Sequence, residues 1–146
     1  MDSVAVKNSP NNVHVIYVAA ADGSIKKLSH DAVSGTTCLV EVLRPFAPGR
    51  AVPVHSMKVV STMRALYVAA ENSVMRIPAQ RCRRFSTERQ CLNAMDPYCG
   101  WHAQKKACVA TPNGNPRAAY FQQEPLQCPV LTDPVSVYRF GRCNRS

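Results

Sequence analysis

The sequence predicts an all-β chain made of two unlike parts, and three observations predict it. Residues 1–80 are filled by short runs rich in Val, Ile and Tyr, with Gly, Pro, Asp and Asn between them. No stretch carries sustained apolar spacing of 3.6 residues, the mark of an amphipathic helix. The cysteines divide the chain: residues 1–81 hold only Cys38, whereas residues 82–143 hold the other six.

The strands come in order. His14–Ala20 is the first β-type run, closed by Asp22-Gly23, a hairpin-turn pair. Ser24–Ser29 resumes as a short strand. Cys38–Leu43 is stopped by Pro45 and Pro48, and Ser56–Ser61, Ala65–Ala70 and Val74–Ile77 complete the set. Within this series Ile16-Tyr17-Val18-Ala19-Ala20 returns, fifty residues later, as Leu66-Tyr67-Val68-Ala69-Ala70. Each copy runs into a polar turn and then a short basic strand, Ser24–Leu28 and Ser73–Ile77. Two hairpins could share such vocabulary by chance, but order, spacing and turn position all recur. A repeat of this period built from short antiparallel strands is the signature of a β-propeller blade.

A blade buries its faces against its neighbours, and closure takes about 4 to 8 of them. Residues 1–80 hold one blade and part of another. They are expected to form the end of a longer propeller, with open edges and a bare apolar face. The boundary falls near Pro78–Cys82, giving a propeller part at 1–80, a cysteine-rich module at 81–129 and a tail at 130–146 with no assigned architecture.

Composition narrows the classes further. Of 146 residues 46% are hydrophobic, which supports an ordered core and argues against wholesale disorder. The longest apolar run, Val15–Ala21, falls far short of the roughly 20 residues a membrane helix needs. The opening residues lack the basic and apolar regions of a secretory signal. Paired cysteines would therefore imply a signal upstream of Met1. The net charge of +9 suits anionic partners: nucleic acid, acidic polysaccharide, lipid or protein.

The cysteine spacings are Cys82-x8-Cys91-x7-Cys99-x8-Cys108, with Cys128 and Cys143 beyond them. Structural zinc sites use short hooks such as C-x2-C, and none is present here. Cysteine catalysis needs a lone low-pKa thiolate rather than an even series, although His102 lies close to Cys99. Disulfides are the plain reading, and they imply an oxidising compartment. The most specific motif is Asp96-Pro97-Tyr98-Cys99-Gly100-Trp101. Asp-Pro opens a turn and Gly100 is expected to permit a tight bend. Tyr98 and Trp101 supply rigid apolar mass beside a crosslink.

These residues, with Cys82, Cys91 and Cys108, resemble the plexin–semaphorin–integrin (PSI) module. Val74–Pro78 with Arg81-Cys82 resembles the last strand of a sema propeller entering that module. Ser24–Lys27, Cys38–Glu41 and Lys105–Cys108 most resemble class-5 semaphorins, and the likeness runs over about residues 13–129. It implies disulfides between Cys82 and Cys99 and between Cys91 and Cys108. Many PSI modules carry a further cysteine where this chain has Glu88, and its usual partner would match Cys128. Cys128 is thus left free or paired elsewhere, with Cys143 the nearest candidate and Cys38 then the odd thiol. Residues 130–146 lack the tryptophans of a thrombospondin repeat, so the tail departs from the pattern, as the start of another module or the product of an altered transcript would. Asn144-Arg145-Ser146 is formally a glycosylation sequon, expected to go unused at the extreme terminus.

The resemblance implies an extracellular or cell-surface guidance segment, part of a plexin ligand in axon guidance or cell migration. The receptor-contacting face would lie on earlier blades, and the full-length parent would form homodimers. The PSI module would fix the orientation of the propeller relative to the modules beyond it. A second reading is a basic module for heparan or chondroitin sulfate, using Arg81, Arg83, Arg84, Arg89, Lys105 and Lys106, since clustered guanidinium groups suit sulfate. A third is a truncated isoform without function. Nucleic acid is disfavoured, because no aromatic platform interleaves with the arginines. The histidines His14, His30, His55 and His102 are dispersed and no phosphate loop or paired carboxylate is present, so no enzyme, cofactor or metal is expected.

Overall fold

A computed structural model describes residues 1–46 and 49–128. The strands are β1 (Asp2–Val4), β2 (Val13–Ala19), β3 (Ile25–His30), β4 (Thr37–Leu43), β5 (Ser56–Val60), β6 (Ala65–Ala70) and β7 (Ser73–Pro78). A helix α1 (Glu88–Asn93) comes next, then β8 (Cys99–His102), β9 (Ala107–Ala110) and β10 (Phe121–Gln122). They pair into three antiparallel sheets, ordered β1-β2-β3-β4, β5-β6-β7 and β10-β8-β9. The described residues are all-β apart from α1 and short 3-10 turns.

The six strands expected before residue 80 all form, shifted at most by a residue or so at their ends. β1 was not expected, because three residues are too few to show a pattern. It is defined by pairing, with Asp2 opposite Val15 and Val4 opposite Val13. α1 was not expected either, since six residues cannot display a 3.6-residue period. Its signal was the cap instead: Thr87 Oγ1 accepts from Gln90 N at 3.2 Å, and the Gln90 amide oxygen accepts from Ser86 N.

The two hairpins of the repeat occupy equivalent places. β2 pairs with β3 through Ala19 opposite Ile25, and β6 with β7 through Ala69 opposite Val74. The first turn needs its glycine. Gly23 has φ +81°, and a Cβ there would sit 2.4 Å from the Val52 carbonyl oxygen. The second turn places Glu71 in the left-handed region at φ 48°.

Alternation along the strands shows how the two sheets stack. Leu66 and Val68 of β6 are 1% and 0% exposed, packed against Ile25 and Leu43 of the first sheet. Burying two such side chains stabilises by about 1.5–3 kcal/mol each. Their counterparts in the first copy, Ile16 and Val18, face the other way from the second sheet, and Val18 is 45% exposed. Leu39, on the same face, is 43% exposed. The repeat thus presents one apolar face per sheet in a fixed direction, covered in the second copy and open in the first.

Candidate functional site: the joint between sheet and module

The inner face of the first sheet is set by register. Val15, Ser29 and Cys38 form one row across it, Tyr17, Lys27 and Glu41 the next, and Ala19, Ile25 and Leu43 the last. The last row meets the second sheet, where Ile25 and Leu43 join its core. Val15 instead packs with Tyr98, Trp101 and the cysteines of the module. One face therefore serves two neighbours, and the row of Tyr17, Lys27 and Glu41 runs between them.

Lys27 is the centre of the joint, with 1% of its surface exposed. Its Nζ donates to Asp96 Oδ2 at 2.7 Å and to the Ala79 carbonyl at 2.8 Å. Glu41 Oε1 lies 3.8 Å away. The ammonium also sits 4.9 Å from the centre of the Tyr98 ring, where the π face attracts a cation. Burial pushes the Lys27 pKa down, and Asp96 and Glu41 oppose that shift. An ammonium so enclosed is tolerable only because its donors are paired.

Two arginines close the network from the module side. Arg84 reaches Glu41 at 3.2 Å and Asp96 at 3.4 Å, and Arg81 reaches Glu41 at 3.1 Å. Arg84 also stacks on Phe85, 4.3 Å from the ring centre.

The Asp96–Trp101 motif builds the module side. Asp96 Oδ1 accepts from Tyr98 N at 3.1 Å and its carbonyl from Cys99 N at 3.0 Å, which fixes the turn. The second oxygen is then aimed at Lys27. Pro97, Tyr98, Gly100 and Trp101 are all buried. Gly100 does not make the bend expected of it. It lies within β8, and a Cβ there would meet the Phe121 ring at 2.4 Å and the Gln122 carbonyl oxygen at 2.6 Å. The glycine is required by close approach of β10, not by backbone conformation.

The N-terminus is tied into the same joint. Tyr98 donates its hydroxyl to Asp2 Oδ2, and Ser61 Oγ donates to Asp2 Oδ1 at 2.6 Å. Burial alone would raise the Asp2 pKa, but these hydrogen bonds outweigh it and hold the carboxyl below its ordinary value. Burial pushes the Tyr17 and Tyr98 hydroxyls well above theirs. Lys7 donates from Nζ to the Ala118 carbonyl at 2.9 Å, and its backbone N–H to Gln123 Oε1 at 2.9 Å. Gln123 Nε2 in turn donates to the Pro97 and Cys99 carbonyls at 3.1 and 2.9 Å.

Disulfides join Cys82 to Cys99 and Cys91 to Cys108, with Cα atoms 5.5 and 5.7 Å apart. Cys128 is bonded to Cys38, their Cα atoms 5.5 Å apart, and not to Cys143, which lies outside the described residues. The odd thiol assigned to Cys38 is thus corrected: Cys38 lies in the row facing the module, and the end of the module passes over it.

Of the six basic residues grouped in the sequence, two pair with carboxylates, Arg81 staying exposed while it does so. Arg81 and Arg84 are held by Glu41 and Asp96, whereas Arg83, Arg89, Lys105 and Lys106 are exposed. Lys27 lies in the Ser24–Lys27 stretch quoted for its likeness to class-5 semaphorins, but its place at the centre of the joint was not expected. Its signal was present, for alternation from Ile25 puts Lys27 on the inward face.

The plexin repeat (PSI) family model matches residues 81–129. The chain is 35% identical over 133 residues to Semaphorin 5c of Drosophila melanogaster, covering 89% of this chain and 12% of that protein. It is 35% identical over 118 residues to Semaphorin-5B of Homo sapiens, covering 80% of the chain and 10% of the relative. The chain thus spans about a tenth of the length of these relatives. A solved structure of Drosophila Plexin A in complex with Semaphorin 1b shares the fold, with a TM-score of 0.67 at 18% identity, covering 87% of this chain and 27% of that one. A sema-type propeller end joined to a disulfide-crosslinked PSI module is therefore the class that the fold and the joint define. Within it the chain is similar to the semaphorins, with 35% identity to members of class 5.

Proposed function

We propose that the chain is an extracellular segment of a semaphorin-type plexin ligand, in which the PSI module is locked to the propeller so that the chain leaves in a fixed direction. The observation that carries this reading is the buried Lys27–Asp96 pair across the joint. A hinge there would have to bring a charged lysine and its carboxylate into water and back at every swing, whereas the closed joint satisfies both. Disulfides beside the exit restrict alternative conformations further. Residual dipolar couplings measured in the full chain test the rigidity. Couplings from β3 and β8 should fit one alignment tensor, and a need for two would overturn the reading.

The receptor role rests on the semaphorin relatives and on the plexin named in the solved complex. The reading places the contact face on blades other than the two sheets described here. The isolated chain passed over an immobilised plexin ectodomain should give no binding at about 10 µM. Tight binding would move the contact face onto the two sheets described here.

Glycosaminoglycan binding is a second reading, supported by the exposure of Arg83, Arg89, Lys105 and Lys106. Engagement of Arg81 and Arg84 by carboxylates reduces the available charge. Retention on heparin lost on Arg83→Ala/Arg89→Ala would support it, and elution below physiological salt would sink it.

A further inference from the structure

We propose that the Cys38–Cys128 disulfide is a selectively reducible latch between the propeller and the end of the module, opened by a dithiol reductant while the two disulfides inside the module stay closed. The inference goes beyond the orientation reading and does not depend on it.

Accessibility separates the three bonds. Cys82, Cys91, Cys99 and Cys108 are only 3–5% exposed, all of them within the module core. Cys38 is buried as well, but Cys128 is partly exposed. Among the described residues its approach is open, for Glu124, Pro125 and Gln127 are exposed and residues 123–128 belong to no strand or helix. A thiolate must reach one sulfur of the bond directly, so attack at Cys128 is favoured over attack at any sulfur inside the module.

Topology separates them again. The Cys38–Cys128 bond spans 90 residues and links β4 to the module's end, whereas the other two span 17 residues each, inside the module. Opening the latch leaves the joint intact, because Lys27–Asp96, Arg84–Glu41 and the packing of Val15 on Tyr98 do not involve it. Gln123 remains anchored to the Pro97 and Cys99 carbonyls. The stretch from Glu124 to Cys128 is released.

The chemistry is two-step exchange. A reductant thiolate attacks Cys128 Sγ, forming a mixed disulfide and expelling the Cys38 thiolate, which takes up a proton. The reductant's second thiol then attacks the mixed disulfide, releasing the Cys128 thiol and closing the reductant's own disulfide. Two electrons pass from the reductant to the protein bond.

The full oxidised chain can be titrated with dithiothreitol at neutral pH, the new thiols alkylated and located by mass spectrometry. Cys38 and Cys128 should become labelled together, at reductant concentrations about 10-fold below those that open the module bonds. Opening of the module bonds at equal or lower concentration would overturn the proposal, as would a Cys128–Cys143 linkage in untreated protein. Hydrogen exchange of the Cys38→Ser/Cys128→Ser variant supplies the second readout. Exchange should rise over residues 124–128 with β3 and β8 still protected, and loss of protection in β3 or β8 would show that the bond holds the joint itself.

Discussion

Lys27 of β3 and Asp96 of the module meet at 2.7 Å, with 1% and 0% of their side chains exposed. The two residues lie 69 positions apart in the chain, and each completes the hydrogen bonding of the other. Removing one partner strands a buried charge, which is more costly than removing both. Asp96→Ala should therefore destabilise by about 3–5 kcal/mol in urea unfolding, and Lys27→Met/Asp96→Ala should recover part of that loss. Additive single effects would show that the pair is not coupled.

Gly100→Ala tests the packing of β10. The new Cβ would lie 2.4 Å from the Phe121 ring, inside van der Waals contact. Overpacking of this kind costs about 1–3 kcal/mol, read as a drop in thermal midpoint. Gly100→Ala combined with Phe121→Leu should relieve much of it, and an unchanged midpoint for Gly100→Ala alone would contradict the close approach.

Asp2 gives the joint a pH dependence. Its folded pKa lies below the ordinary carboxylate value of about 3.9, so its contribution is complete above that value. The contribution is lost as pH falls through the folded pKa, because the unfolded chain binds the proton more readily. Stability of the wild-type chain should fall in the acid range below about pH 4, and Asp2→Asn should flatten that fall. Parallel curves for the two proteins would show that Asp2 is not held by Ser61 and Tyr98.

Equivalent positions of the repeat should respond unequally. Val68→Ala should cost about 2–3 kcal/mol, since Val68 is wholly buried between the sheets. Val18→Ala, at the matching position of the open face, should stay within about 0.5 kcal/mol. Denaturant midpoints of the two variants settle the comparison, and equal losses would mean that something already covers Val18.

Most of the strand layout was legible because alternation and turn chemistry act locally. Asp22-Gly23 marks a turn whatever lies around it. The joint was less legible for a reason of the same kind. Lys27 carries an inward place in the alternation and an outward chemistry, and only a carboxylate from 69 residues away reconciles them. Arg81 and Arg84 read as unpaired charge because sequence does not show that Glu41, 40 and 43 positions upstream, folds against them. The partner of Cys128 was hidden likewise, since it lies 90 residues back, on the first sheet. Gly100 was legible as essential, but the cause lies in Phe121, a residue no local turn rule consults.

The division of the first sheet's inner face has a mechanical meaning. The same three strands carry a neighbouring blade at one end and the module at the other, so a push on the module is delivered to β2, β3 and β4 along their length. Those strands are hydrogen-bonded rods, stiff in that direction, and their far end is seated on Leu66 and Val68. Force applied where the chain leaves would therefore travel into the propeller as a load on the blade-to-blade contact and would not dissipate at the boundary between domains.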